Sequence, residues 1–185
     1  EERPPQLDLT RAITHCFNES SIGIFEAGTG VGKSLAYLLP AFEWAAANKT
    51  RIVISTGTIN LQHQLIDKDV PDALKILGNG QEQPQAILIK GRQNYLCLRR
   101  LLQTAQEPDL FTQEAETLTA IQKWAQSSDE GSRSSLPFMP PAGLWAKICS
   151  ESDNCLSQRC PCYADCFVMK VRKEAEKAAV LIVNH

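Results

Sequence analysis

The chain has 185 residues, 43% of them hydrophobic and 22% charged, a globular composition that suits one domain, or one domain with a sizeable insertion, and excludes a complete multi-domain machine. No apolar run approaches the roughly 20 residues that cross a bilayer, and the opening Glu1-Glu2-Arg3-Pro4-Pro5 has neither an initiator methionine nor a charged-then-apolar leader, so the expectation is a soluble, cytoplasmic piece of a longer protein. The formal net charge is −2, so a polyanionic partner must be held by local basic patches and not by a global field.

In chain order, Arg3-Pro4-Pro5-Gln6 reads as a loop, and 7–18 places apolar residues at helical spacing, which predicts a short amphipathic helix. The stretch 21–25 (SIGIF) is short and apolar, which predicts the first strand. It runs into a glycine-rich segment, and 35–47 then predicts a helix that Pro40 kinks or splits. A second buried strand is expected at 51–55 (RIVIS), a helix at 60–68 that Pro71 ends or breaks, and a further helix at 72–77. Gly78-Asn79-Gly80 and Pro84 mark a loop, after which 86–90 (AILIK) reads as a third buried strand. Strands alternating with helices predict an α/β layer with a parallel sheet.

From Gly91 the pattern changes. Helices are expected at 94–104 and 110–125, with 127–135 as the loosest loop. A cysteine-rich stretch follows, then a helix at 163–178 and an apolar strand at 180–183 (VLIV), where the sheet resumes. The changed region reads as an insertion. Basic residues gather at Lys90, Arg92, Arg99 and Arg100, and again over 170–177, where four bases outnumber two acids.

Ala27-Gly28-Thr29-Gly30-Val31-Gly32-Lys33-Ser34 lies between an expected strand and an expected helix, the context a phosphate-binding loop requires. Glycines let successive N–H groups point into one concavity at a helix N-terminus, where the helix dipole and free donors favour phosphate oxygens. Lys33 is then placed to neutralise the β- and γ-phosphates of ATP, and the Ser34 hydroxyl to ligate Mg²⁺. The loop departs from G-x-x-x-x-G-K-[ST] at its first position, where Ala27 replaces glycine.

There are seven cysteines, an odd number in a chain without a secretory signal, and five of them fall within 149–166. Reduced, liganding thiols are therefore expected over disulfides. Cys155, Cys160 and Cys166 form a compact run, and Cys97 lies one long excursion upstream, so four thiolates can be gathered. Spacing alone leaves an iron–sulfur cluster, a zinc ion and redox-active thiols all open. Cys162 competes with Cys160, two residues away, whereas Cys16 and Cys149 read as packed thiols.

Taken together, the glycine loop 26–34, Lys90-Gly91-Arg92-Gln93-Asn94-Tyr95-Leu96-Cys97 and the Cys155, Cys160, Cys166 run resemble the DinG-type helicases, XPD-like enzymes of superfamily two, with the YoaA branch included. The family's Ala-Gly-Thr-Gly loop start also accounts for Ala27. The resemblance implies a RecA-like P-loop NTPase fold, an α/β parallel sheet with an inserted, mostly helical iron–sulfur domain. Its boundaries are 1–90 for the first part of the motor domain, 91–177 for the insertion and 178–185 for the return strand.

It further implies an ATP-dependent 5′→3′ DNA helicase whose 4Fe–4S cluster is held by Cys97, Cys155, Cys160 and Cys166, with Cys162 surplus. Gln6 matches the family's adenine-reading glutamine, and Thr56 and Gln64 match its motif for the single-stranded DNA backbone. Arg92 is the basic residue expected beside the DNA path. Single-stranded or forked DNA and ATP are the implied partners, with replication or repair proteins besides, in a bacterial nucleoid. The chain stops at Val183-Asn184-His185, before any Asp-Glu-x-His motif and before a second motor domain, so hydrolysis by this piece alone is expected to be absent or feeble. The competing expectations are a non-catalytic, zinc-stabilised nucleic-acid-binding module with a vestigial loop, and a small-molecule kinase.

Overall fold

The computed structural model describes residues 3–78, 84–106 and 112–184, side chains at 112 and 113 excepted. Part of the loop expected around Asn79 and Gly80, and the start of the helix expected from 110, lie outside the described residues. The chain divides into two compact units, Glu1–Ile89 with Lys177–His185, and Lys90–Glu176.

The first unit opens with α1 (Pro4–Asn18). It starts three residues earlier than the periodicity indicates, because proline in a first helical turn gives up an N–H that has no partner anyway. That start brings Gln6 into the helix. α2 (Lys33–Asn48) runs unbroken through Pro40, whose ring is buried; packing of that ring offsets the lost hydrogen bond. The two helices meet through stacked Phe17 and Trp44, 5.7 Å between ring centroids.

β1 (Ile52–Thr56), β2 (Ala86–Ile89) and β3 (Val180–Asn184) form a parallel sheet in the order β1-β3-β2. Ile52 and Ala86 both stand opposite Val180, which fixes the register. Fully buried Leu38, Phe42, Leu65, Val180 and Ile182 centre the core between sheet and helices, each contributing about 2 kcal/mol of burial.

Two expectations change here. The stretch 21–25 forms no strand: Ile22 and Ile24 are 97% and 96% exposed. An extended segment holds as a strand only when a neighbour takes its backbone N–H and C=O groups, and no described strand lies alongside it. Pro71 does not end the helix before it. Instead α3 (Ile59–Gln64) passes through a π-helical turn (Leu65–Asp69) into α4 (Val70–Leu77). The Val70 N–H reaches back five residues to the Leu65 carbonyl, and this wider turn sets Pro71 into the first turn of α4, where no N–H is needed.

The second unit contains α5 (Leu98–Thr104), α6 (Thr112–Ser127), α7 (Ala142–Ile148) and α8 (Phe167–Lys177), with short 3₁₀ turns between them. Its core gathers Leu96, Leu101, Leu118, Ile121, Leu144, Trp145, Ile148 and Phe167. α5 begins four residues later than expected because Tyr95 and Leu96 pair in antiparallel bridges with Ser132 and Cys149. The sequence reading missed α7, a seven-residue helix preceded by Pro141.

The loop expected to be loosest is pinned. Lys90 is 8% exposed, and its ammonium donates to Glu130 Oε1 at 2.5 Å, Ser132 Oγ at 3.1 Å and Ser134 Oγ at 2.7 Å. Nearby, Gly131 sits at φ +59° against the Phe167 ring, leaving no space for a Cβ.

Candidate nucleotide loop and cysteine cavity

The glycine loop of the first unit is built on the start of α2. Gly32 caps that helix at φ 88° and Gly30 turns the loop at φ 79°, conformations that only glycine adopts cheaply. The Ala36 N–H closes the first helical bond to the Gly32 carbonyl, which leaves the first-turn amides of Lys33, Ser34 and Leu35 without intrahelical partners. Lys33 donates from Nζ to the carbonyls of Ala27 at 2.9 Å and Gly28 at 2.8 Å, folding the ammonium back over the loop. Thr29 is exposed and Val31 half-buried.

α1 fastens this loop from the side. Arg3 Nη1 donates to the Gly30 carbonyl at 2.8 Å, and Gln6 Nε2 to the Gly32 carbonyl at 2.9 Å. Gln6 therefore meets the loop backbone. Burial pushes the Tyr37 phenol above its ordinary pKa, the nearby Ser34 side chain works against that rise, and the charge of Asp69 adds to it.

In the second unit, Cys97, Cys155, Cys160 and Cys166 all line one cavity, together with Arg99, Arg100, Tyr163 and Met169. Cys97 caps α5, Cys155 and Cys160 flank the 3₁₀ turn Ser157–Arg159, and Cys166 directly precedes α8. Hydrogen bonding from Arg92, ahead of a Ser157 backbone contact, pulls the Cys155 thiol below its ordinary pKa. Cys162 does not line the cavity. Its thiol is pushed up, first by burial and then by Cys160 and Cys97. Among the described residues no three His, Cys, Asp or Glu side chains come close enough to share one metal ion.

The basic residues around the cavity are committed within the unit. Arg99 Nη2 donates to the Asn154 carbonyl at 2.6 Å. Arg100 Nη1 donates to the Cys149 carbonyl at 2.8 Å and lies 2.7 Å from Glu151 Oε2. Arg92 Nη1 reaches the Glu151 carbonyl at 3.4 Å. Lys90, Arg92, Arg99 and Arg100 thus clamp backbone and carboxylates rather than standing in solvent.

Thr56 is 4% exposed, and its hydroxyl donates to the carbonyls of Thr58 at 3.2 Å and Val183 at 3.4 Å. Gln64 is exposed and gives its Nε2 to Asp69 Oδ2 at 3.1 Å. Both belong to the β1–α3 segment, which Thr58 caps by accepting from the Leu61 N–H.

No family model matches the chain. Known relatives do. The chain is 39% identical over 188 residues to the ATP-dependent DNA helicase YoaA of Escherichia coli, covering 99% of this chain and 28% of that protein. It is 35% identical over 199 residues to the ATP-dependent helicase DinG of Mycobacterium tuberculosis, covering 99% of this chain and 30% of that protein. With YoaA of Haemophilus influenzae the identity is 34% over 185 residues, with 99% and 28% covered.

Over nearly its whole length the chain is similar to the DinG/YoaA helicases.

It spans under a third of the length of these relatives. Within this chain the glycine loop, Gln6 and Lys33 come together in one unit, and the four cysteines around one cavity in the other. Sequence reasoning did not single out Arg3, Tyr37, Asp69 or Glu130. For Arg3 the signal was present in its place three residues before Gln6, on the same side of the first helical turn. For Glu130 none was, since its partner Lys90 stands 40 residues away.

Proposed function

We propose that this chain is the nucleotide-binding and strand-gripping part of an ATP-dependent DNA helicase of 5′→3′ polarity, with a 4Fe–4S cluster in the unit Lys90–Glu176. The observation that carries the reading is the loop itself: Lys33, held at the start of α2 over the Ala27 and Gly28 carbonyls, has the loop glycines and free first-turn amides beside it. When ATP enters, those amides take phosphate oxygens, the Lys33 ammonium leaves its carbonyls for the β- and γ-phosphates, and the Ser34 oxygen is available to Mg²⁺. Gln6 and Arg3 keep the loop open by tethering the Gly32 and Gly30 carbonyls, and Gln6 is the residue assigned to adenine on the family resemblance. The polarity is what the sequence's resemblance to the DinG-type helicases implies.

The donor chemistry of the second unit fits an iron–sulfur cluster held by Cys97, Cys155, Cys160 and Cys166. Four thiols line one cavity, one of them is acidified, and Arg99 and Arg100 border it. A single zinc ion gathers its four ligands around one centre, whereas in a four-iron cluster each thiolate binds a separate iron; the resemblance to the DinG-type helicases favours the cluster. When bound, such a centre supplies a four-point cross-link and one-electron chemistry.

The DNA backbone is met by the β1–α3 segment. Thr56 acts from inside, where its hydroxyl shapes the turn at Thr58, while Gln64 presents an exposed amide. Arg92, beside Cys155, is the basic residue assigned to the DNA path. Among the described residues no helix is long and apolar enough to cross a membrane, in keeping with a cytoplasmic, nucleoid-associated enzyme that works beside replication or repair proteins.

The full-length protein should hydrolyse ATP faster with single-stranded DNA than without it, and Lys33→Ala should abolish turnover. Anaerobically purified protein should contain iron and acid-labile sulfide. Turnover in Lys33→Ala equal to the parent would overturn the nucleotide assignment, and stoichiometric zinc without sulfide would overturn the cluster.

A further inference from the structure

We infer that the face of α8 bearing Lys170 and Lys173, with the ring of Tyr163 beside it, is a further grip on single-stranded DNA, additional to the β1–α3 segment. The inference rests on the function proposed above and deepens it by naming where the unit Lys90–Glu176 holds the strand. The chain carries two basic groups, at 90–100 and at 170–177, and folding treats them differently. In the first, Lys90 holds Glu130, Arg99 the Asn154 carbonyl and Arg100 the carboxylate of Glu151. In the second, Lys170 and Lys173 are exposed, and no ion pair among the described residues includes either. Even Glu174, next to Lys173 and one turn beyond Lys170, pairs with neither.

Helical spacing sets both lysines on the side of α8 that continues from Cys166, since they stand one and two turns beyond it. Phe167, Val168 and Ala175 bury the other side of the helix, so the lysine stripe stays turned to solvent. Tyr163 is half-buried and lines the cysteine cavity together with Cys166. The Lys173 Nζ lies 5.9 Å from the centroid of the Tyr163 ring, and the Lys170 Nζ 5.5 Å from that of the buried Phe167 ring.

A cation that already holds a carboxylate must give it up before it can take a phosphate. These two ammonium groups hold only aromatic rings, a weak attachment at an exposed site. A phosphate oxygen offers each of them a charge-assisted hydrogen bond, about twice as strong as a neutral one. When Lys173 swings to a phosphate it uncovers a face of the Tyr163 ring, on which a base can stack. The helical rise sets the two lysines about 4.5 Å apart along the axis, and their long side chains reach neighbouring phosphates of one strand. Nothing in this arrangement reads a base edge, so the grip is independent of sequence, as a motor that moves along any strand requires.

The test uses the full-length protein and fluorescent oligodeoxythymidylate, with affinity read by anisotropy between about 50 and about 200 mM salt. Lys170→Gln and Lys173→Gln should each lower the slope of log affinity against log salt by about 0.7, and the double variant by about twice that. Tyr163→Leu should weaken binding about fivefold or more at an unchanged slope, and Tyr163→Phe should bind as the parent does. Lys123→Gln, the same change of charge at an exposed position of α6, should keep the parental affinity and slope. Parental melting temperatures report that the variants are folded, and the exposed lysines keep the test decisive if Tyr163→Leu unfolds. A parental slope in the folded double variant would overturn the inference, as would a slope lowered equally by Lys123→Gln; DNA-stimulated ATP turnover in that same protein would leave the proposed function standing. A parent that binds no single-stranded DNA sinks the proposed function and the inference with it.

Discussion

The Nζ of Lys90 lies 2.5 Å from Oε1 of Glu130, and the two side chains are 5% and 48% exposed. The pair ties the residue that follows β2 to a loop forty positions on, and it sits where the cysteine-bearing unit begins. Glu130→Ala leaves a buried ammonium with only the Ser132 and Ser134 hydroxyls. The half-exposed partner tempers the loss, so the expected cost is about 2 kcal/mol. A denaturant midpoint equal to that of the parent would show that the pair contributes nothing.

Gly131→Ala should be worse. Any Cβ there meets the Phe167 ring, and the backbone stands at φ +59°. Overpacking and the left-handed conformation together predict a loss of about 2–4 kcal/mol, read as a fall in melting temperature. A fall smaller than that produced by Glu130→Ala would contradict the packing argument.

Gln6→Ala removes the donor to the Gly32 carbonyl. About 1 kcal/mol of hydrogen bonding at the loop corresponds to roughly fivefold weaker nucleotide binding. Calorimetric titration with ATP and magnesium would detect it, and unchanged affinity would mean that the loop needs no lateral tether.

Cys155→Ser should lose iron and destabilise its unit, because ligation supplies folding free energy. Cys162→Ser should keep its iron, since Cys162 lies outside the cavity that the other thiols line. Iron and sulfide analysis of the two variants separates these roles: equal iron in both would remove Cys155 from the ligand set.

Alkaline stability carries the signature of Tyr37. Its pKa is raised in the folded chain, chiefly by burial, so the unfolded chain ionises first. The resulting stability is complete below about pH 10, the unfolded tyrosine value, and is lost as pH climbs above it. Tyr37→Phe should therefore lose less stability than the parent when denaturant midpoints at about pH 9 and about pH 11 are compared. Identical slopes would show that the phenol is not held neutral by the fold.

Much of this protein is legible from its sequence because the signals are local. The glycine loop needs backbone that only glycine supplies, at the start of a helix, and Gly30 and Gly32 stand there at positive φ. Strands at 52–56, 86–89 and 180–184 follow from short apolar runs between helices. Cys97 and Cys166 fall inside the helices expected at 94–104 and 163–178, whereas each stands just before its helix in the structure, and their shared cavity does not follow from spacing.

What spacing and composition could not decide is set by partners distant in sequence. The stretch 21–25 has strand composition but no described neighbour to take its backbone hydrogen bonds, so it forms no strand and stays exposed. Tyr95 and Leu96 would suit a helix, yet bridges to Ser132 and Cys149 hold them extended. The basic cluster from Lys90 to Arg100 looks like a surface for polyanions, but in the folded chain those cations meet Glu130, Glu151 and backbone carbonyls. Residue type and periodicity fix what a segment is able to do; which of those options is taken depends on the acceptors, donors and apolar faces that folding brings within a few ångströms.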